Sequence, residues 1–265
     1  MVKRNDERYR EYKLIRISEE KTEEFTDTVV EEKPVTIYLN SQEFVTLLCT
    51  PEKLDYLTLG FLRSEGLIKN REDVLSLDVQ GEEGIVKVQT REPGKLSEKL
   101  FGKRTITSGC GKGSIFFSAL DSLASRPVET EIYLSPQEVL SLMKELQGEA
   151  ELFRLTGGVH TSALGTAEGI HLFCEDIGRH NAVDKLLGEC IARDIPLDDK
   201  ILVTSGRLSS EILLKSAKIG IPILLSRAAP TYLSVDLAEK LGITMVGFIR
   251  GKRMNVYTGG WRIIQ

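Results

Sequence analysis

Ile201-Leu202-Val203-Thr204-Ser205-Gly206-Arg207-Leu208-Ser209-Ser210 reads as a short apolar strand, a polar loop and the start of a helix. A strand of this kind, apolar without alternation, is buried on both faces and belongs in a sheet covered by helices on each side. The pattern recurs outward from this stretch. Before it, Ile170–Cys174 reads as a strand and Asn181–Arg193 as a helix with Val183, Leu186, Leu187, Cys190 and Ile191 on its buried face. After it come a helix to Lys218, a strand over Ile221–Leu225, a helix over Val235–Leu241 capped by Ser234, and a strand over Ile243–Ile249. Upstream, Ser135 and Glu138 have capping-box spacing, Pro136 takes the first helical position and Gly148 closes that helix. Strands separated by helices imply crossovers, and so an α/β domain with a mainly parallel sheet over residues 135–265.

The N-terminal part is patterned differently. Residues 1–33 are dense in charge of both signs and read as a frayed arm, with Leu14–Ile17 joining a sheet edge. Val35–Leu39 and Phe44–Leu48 read as strands around an Asn40-Ser41 turn, and Val74–Val79 and Ile85–Gln89 as a second hairpin around Gly81–Gly84. Between them Thr50 and Pro51 supply an N-cap and first turn, Leu54, Leu57, Phe61 and Leu62 an apolar face, and Gly66 a stop. Residues 34–105 are therefore a small α+β domain, and 106–134 a connecting loop and helix.

At 265 residues, 41% hydrophobic and 28% charged, the chain has the composition of a globular protein with a substantial core. A net charge of -4 argues against a general nucleic-acid binder. No apolar run approaches a membrane span, and the charged Met1–Lys13 stretch has no export-signal core, so a cytoplasmic protein without a membrane partner is expected. In a reducing compartment the four unevenly spaced cysteines are free thiols.

In an α/β sheet, ligands gather beyond the carboxyl ends of the strands. Thr105-Ile106-Thr107-Ser108-Gly109-Cys110-Gly111-Lys112-Gly113-Ser114 places one thiol between glycines, beside a lysine and ahead of an expected helix from Ser114, an arrangement that favours the thiolate. It reads as a nucleophilic or sulfur-carrying cysteine, or else as a glycine-rich connection in which the cysteine happens to sit. Ser205, Gly206 and Arg207 form a strand-to-helix loop suited to a phosphate, and equally an ordinary capped turn. His180 and Asn181 stand at another such junction, with Asp184 one turn on; a histidine and aspartate so spaced more often make a structural hydrogen bond than a catalytic dyad. Gly157 and His160 open a small-residue stretch. There Ser162 stands where zinc deaminases need glutamate, and no C-x-x-C exists, so neither deaminase chemistry nor a protein-bound metal is expected. Phe248-Ile249-Arg250-Gly251-Lys252-Arg253 ends the last strand with a local basic excess, either a polyanion site or a solvated turn. Cys49, Cys174 and Cys190 fall in apolar patterns and read as buried, inert thiols.

Thr107–Gly111, Thr156–His160, Asp176–Lys185, Thr204–Arg207 and Phe248–Arg253, in this order, resemble the FdhD family of formate dehydrogenase accessory sulfurtransferases over about residues 30–262. The resemblance implies a cytidine-deaminase-like three-layer α/β domain without the deaminase zinc, a smaller N-terminal α+β domain and a homodimer. It implies that Cys110 accepts persulfide sulfur from a cysteine desulfurase. The acceptor would be the molybdenum bis(molybdopterin guanine dinucleotide) cofactor, bound as substrate by the Phe248–Arg253 segment for the formate dehydrogenase catalytic subunit. The family's loop is commonly C-x-x-C, whereas this chain reads Cys110-Gly111-Lys112-Gly113. That departure leaves a second possibility, a cofactor-binding chaperone without sulfur transfer.

Overall fold

A computed structural model of the chain describes residues 6–91, 128 and 130–264. Tyr9–Ile17 (β1) and Thr22–Val30 (β2) form a two-stranded antiparallel sheet, in register from Tyr9↔Val30 to Ile17↔Thr22. The frayed arm expected there is thus corrected. The charges alternate with Tyr12, Leu14, Phe25 and Val29, so cross-strand pairs form, with the Arg16 guanidinium 3.3 Å from the Phe25 ring centroid.

Lys33–Leu39 (β3) and Gln42–Cys49 (β4) make the expected hairpin, turning through Asn40 and Ser41 at φ 50° and 67°. Both values lie in the left-handed region that two-residue hairpin turns require and asparagine tolerates. Leu54–Ser64 (α1) follows, then Val74–Gln80 (β5) and Ile85–Thr90 (β6), completing a four-stranded sheet in the order β4-β3-β6-β5. Val35, Ile37 and Leu39 alternate inward with Val86 and Val88 to meet Leu57 and Leu62 of α1. Thr50 and Pro51 do not cap this helix; Lys53 does, at φ 52°, and Thr50 is buried for another purpose.

The rest of the chain builds one six-stranded sheet between helices. Pro136–Glu149 (α2) carries the Ser135/Glu138 capping box and runs through Gly148, which points into open space. Glu151–Thr156 (α3), His160–Thr166 (β7), Gly169–Asp176 (β8) and Arg179–Arg193 (α4) follow. Ile201–Thr204 (β9), Ser210–Lys218 (α5), Ile223–Ser226 (β10), Tyr232–Lys240 (α6), Thr244–Arg250 (β11) and Arg253–Thr258 (β12) complete it. Thr231, with Ser234 as its capping-box partner, starts α6 in place of the Ser234 cap expected. The sheet order is β12-β11-β10-β9-β7-β8. Val139, Leu142, Met143 and Leu146 of α2 cover one face, and Val183, Leu186, Leu187, Ile212, Leu213 and Leu237 the other. The three-layer α/β reading holds, but the parallel run is limited to β9, β10 and β11. β7, β8 and β12 run antiparallel to their neighbours, because the connections 167–168 and 251–252 are too short for a crossover.

The small sheet is joined to the large one where α1 crosses α4. A Cβ on Gly60 would collide with the Asp184 carbonyl, and one on Gly188 with the Tyr56 carbonyl, so the two backbones touch through a pair of glycines.

Candidate functional site

Six strand ends form one edge of the six-stranded sheet. β8, β9, β10 and β11 finish there, and β7 and β12 begin there, with His160 paired to Asp176 and Arg253 to Arg250. Hydroxyls fix the loops at this edge. The Thr161 N–H donates to Ser205 Oγ at 3.0 Å, and the Ser205 N–H to the Thr161 carbonyl at 2.9 Å. Thr204 Oγ1 lies 2.9 Å from Ser162 Oγ and accepts the Gly206 N–H at 3.2 Å. Ser226 Oγ donates to the Gly206 carbonyl at 2.7 Å. Hydroxyls buried and satisfied in this way specify one loop conformation.

The first charged group lies over β7, β8 and β9. A Cβ on Gly206 would come within 3.1 Å of Arg179 Cβ, so the glycine lets Arg179 lie across the loop. His160 is half-buried; burial pushes its imidazole below the ordinary 6.5, and the charges of Arg179, His180 and Arg207 push the same way against Asp176. These side chains therefore share one field. His180 Nε2 is 3.0 Å from Glu211 Oε2, and Asp184 instead accepts from Ser64 Oγ at 2.7 Å and pairs with Lys215, so the suggested His180–Asp184 pair does not form. Arg179 Nε and Ser209 Oγ are buried without a hydrogen-bond partner among the described residues, and Arg207 is exposed. The α4 N-terminus, capped by Gly178, has no side-chain cap bond, nor has that of α5 at Ser209. Two helix N-termini with arginines beside them suit an anion.

The second group lies over β10 and β11. Arg227 is exposed, and its carbonyl accepts from Arg250 Nε at 3.2 Å. The Arg250 guanidinium is 5.3 Å from the Phe248 ring centroid, within cation–π range. Phe248 has φ 51° beside a register shift between Gly247 and Arg250. A left-handed aromatic residue on a bulge is strained, as site residues often are. Gly251, Lys252 and Arg253 form the exposed turn. Ile249, expected in the binding segment, is 1% exposed and faces the core.

Asn181 is near the site but committed elsewhere, its Nδ2 donating to Asp176 Oδ1 at 2.9 Å and to the Leu48 carbonyl at 2.8 Å. Gly157 ends α3 in the left-handed region, exposed. Sequence reading passed over Glu175, whose carboxylate accepts the Leu152 and Phe153 N–H groups at 2.8 and 2.9 Å and so anchors the helix leading to His160. Asp176 and Arg179 fall in the Asp176–Lys185 stretch that carries the resemblance, without being singled out as site residues, whereas Ser209 and Arg227 were not expected at the site.

Cys49, Cys174 and Cys190 are buried, which pushes their thiols up to about 12, 11 and 12. Cys110, its loop Thr105–Ser114 and the helix expected from Ser114 lie outside the described residues. Among the described residues no cluster of His, Cys, Asp and Glu is placed to hold a metal ion, and no helix is long and apolar enough to cross a membrane.

The FdhD/NarQ family model matches residues 30–264. The chain is 45% identical to the sulfur carrier protein FdhD of Bacillus pumilus over 240 residues, covering 91% of this chain and 92% of that one. It is 45% identical to its Bacillus subtilis counterpart over 237 residues, 89% and 90% of the two chains. A crystal structure described as a candidate formate dehydrogenase accessory protein from Desulfotalea psychrophila superposes with a TM-score of 0.78 at 28% identity, covering 97% and 99% of the chains.

Proposed function

The chain belongs to the FdhD/NarQ family, and from that premise we propose that it carries sulfur for a formate dehydrogenase. In this reading the Cys110 thiolate attacks the outer sulfur of a cysteine desulfurase persulfide. A new S–S bond forms on Cys110, the desulfurase's own S–S bond breaks, and its thiolate leaves. The sulfane sulfur is then delivered to molybdenum bis(molybdopterin guanine dinucleotide), held as substrate at the basic edge and destined for the dehydrogenase catalytic subunit. Release as sulfide takes two electrons. With Gly113 where a second cysteine would close a disulfide, they come from an outside thiol reductant. The protein works as a homodimer in the cytoplasm.

One observation carries the reading. The chain has four cysteines, and Cys49, Cys174 and Cys190 are buried with thiols held neutral at physiological pH, so nucleophilic sulfur falls to Cys110. The phosphates of the guanine dinucleotide have suitable partners in Arg179, Arg207, Arg227, Arg250, Lys252 and Arg253. Incubation with a cysteine desulfurase and cysteine should add the mass of sulfur to the intact protein, and Cys110→Ala should remove the addition. An unchanged intact mass would defeat the proposal.

The lone cysteine of the loop favours one other reading, a chaperone that holds the cofactor without transferring sulfur. A chaperone keeps dehydrogenase activity in cells carrying Cys110→Ala; a carrier loses it.

A further inference from the structure

Asp176 is fully buried, and four groups converge on its carboxylate. Oδ1 accepts the Gly178 N–H at 2.8 Å and Asn181 Nδ2 at 2.9 Å. Oδ2 accepts the Thr50 N–H at 3.1 Å and lies 2.7 Å from Lys185 Nζ, with both side chains 0% exposed. Lys185 Nζ also donates to the Thr50 carbonyl at 3.1 Å, and Asn181 Nδ2 to the Leu48 carbonyl at 2.8 Å. One ion pair therefore grips Thr50 by both its N–H and its C=O, while the same carboxylate folds the 176–181 turn that presents Arg179 and His180.

A buried pair is weak grounds for stability, since apolar side chains of similar volume serve as well. What the charges add here is geometry. Leu48 and Thr50 belong to β4, an edge strand of the small sheet, and to its exit, whereas Gly178 and Asn181 belong to the anion edge. We infer that Asp176 and Lys185 are positioning residues, setting Arg179 and His180 at the anion edge only while the β4–α1 connection of the small sheet is docked. This deepens the proposed function, because it makes binding at that edge depend on the neighbouring unit.

The inference is tested first without mutation. In native-state hydrogen exchange under rising urea, the amides of residues 48–50 and 177–181 should share one opening isotherm, and separate openings overturn the inference. The second arm uses Asp176→Asn/Lys185→Met, which leaves no unpaired buried charge. This double variant should melt close to the parent while exchange at 177–181 speeds at least tenfold and exchange in β9–β11 is unchanged. Its affinity for GDP, measured by calorimetry, should fall at least tenfold. Parent-like exchange at 177–181, or parent-like GDP affinity, overturns the inference. If the parent chain itself fails to bind GDP, the guanine dinucleotide reading falls, and the exchange arms still decide the positioning role.

Discussion

His160 is held below its ordinary pKa first by burial and then by its neighbours Arg179, His180 and Arg207. The unfolded chain then binds the proton more readily than the folded one, so stability falls as pH drops below about 6.5 and levels off once the folded state protonates as well. His160→Gln should flatten this part of the melting-temperature profile between pH 7 and 5. Phe248 gives a prediction of another kind. Its left-handed backbone costs about 1–2 kcal/mol in a non-glycine residue, similar to what its half-buried ring contributes. Phe248→Gly should therefore leave thermal stability within about 1 kcal/mol while weakening guanine nucleotide binding. At this scale the sequence was partly legible. The basic residues of 250–253 and the buried cysteines could be read from pattern, because charge and hydrophobicity are local properties. Ile249 and Asn181 could not be placed, since whether a strand-end residue faces ligand or core depends on a bulge and on a hydrogen bond to distant Leu48.

Elements were legible wherever a capping signal or an apolar period marked them. The helix over Ser210–Lys218 and the strand over Ile201–Thr204 were expected at their observed bounds. β7 was missed because its glycine, serine and threonine residues lack strand-like bulk, and β12 because its basic start looked like a turn. The strand directions followed from those two omissions. Ser135 anchors a reciprocal cap, so Ser135→Ala should cost about 1 kcal/mol in denaturant unfolding. The α1–α4 crossing is less forgiving. Gly188→Ala puts a methyl group into the Tyr56 carbonyl and should cost about 1–3 kcal/mol or more, whereas Gly148→Ala, in open space, should not destabilise α2.

The molecule as a whole is acidic, yet its strand-end edge gathers Arg179, Arg207, Arg227, Arg250, Lys252 and Arg253. An anionic ligand is then drawn to one side of a chain that repels it elsewhere. Guanine nucleotide affinity should fall steeply with added salt, and Arg250→Ser/Arg253→Ser should flatten that dependence while leaving the fold intact by circular dichroism.

The glycine-to-glycine crossing has one more consequence. Since backbone meets backbone at that seam, and the Asp176–Lys185 pair reaches across it to Thr50, the two halves are fastened by direct contacts and not by chain connectivity alone. A polypeptide cleaved once between residues 91 and 128 should therefore remain a single particle on gel filtration.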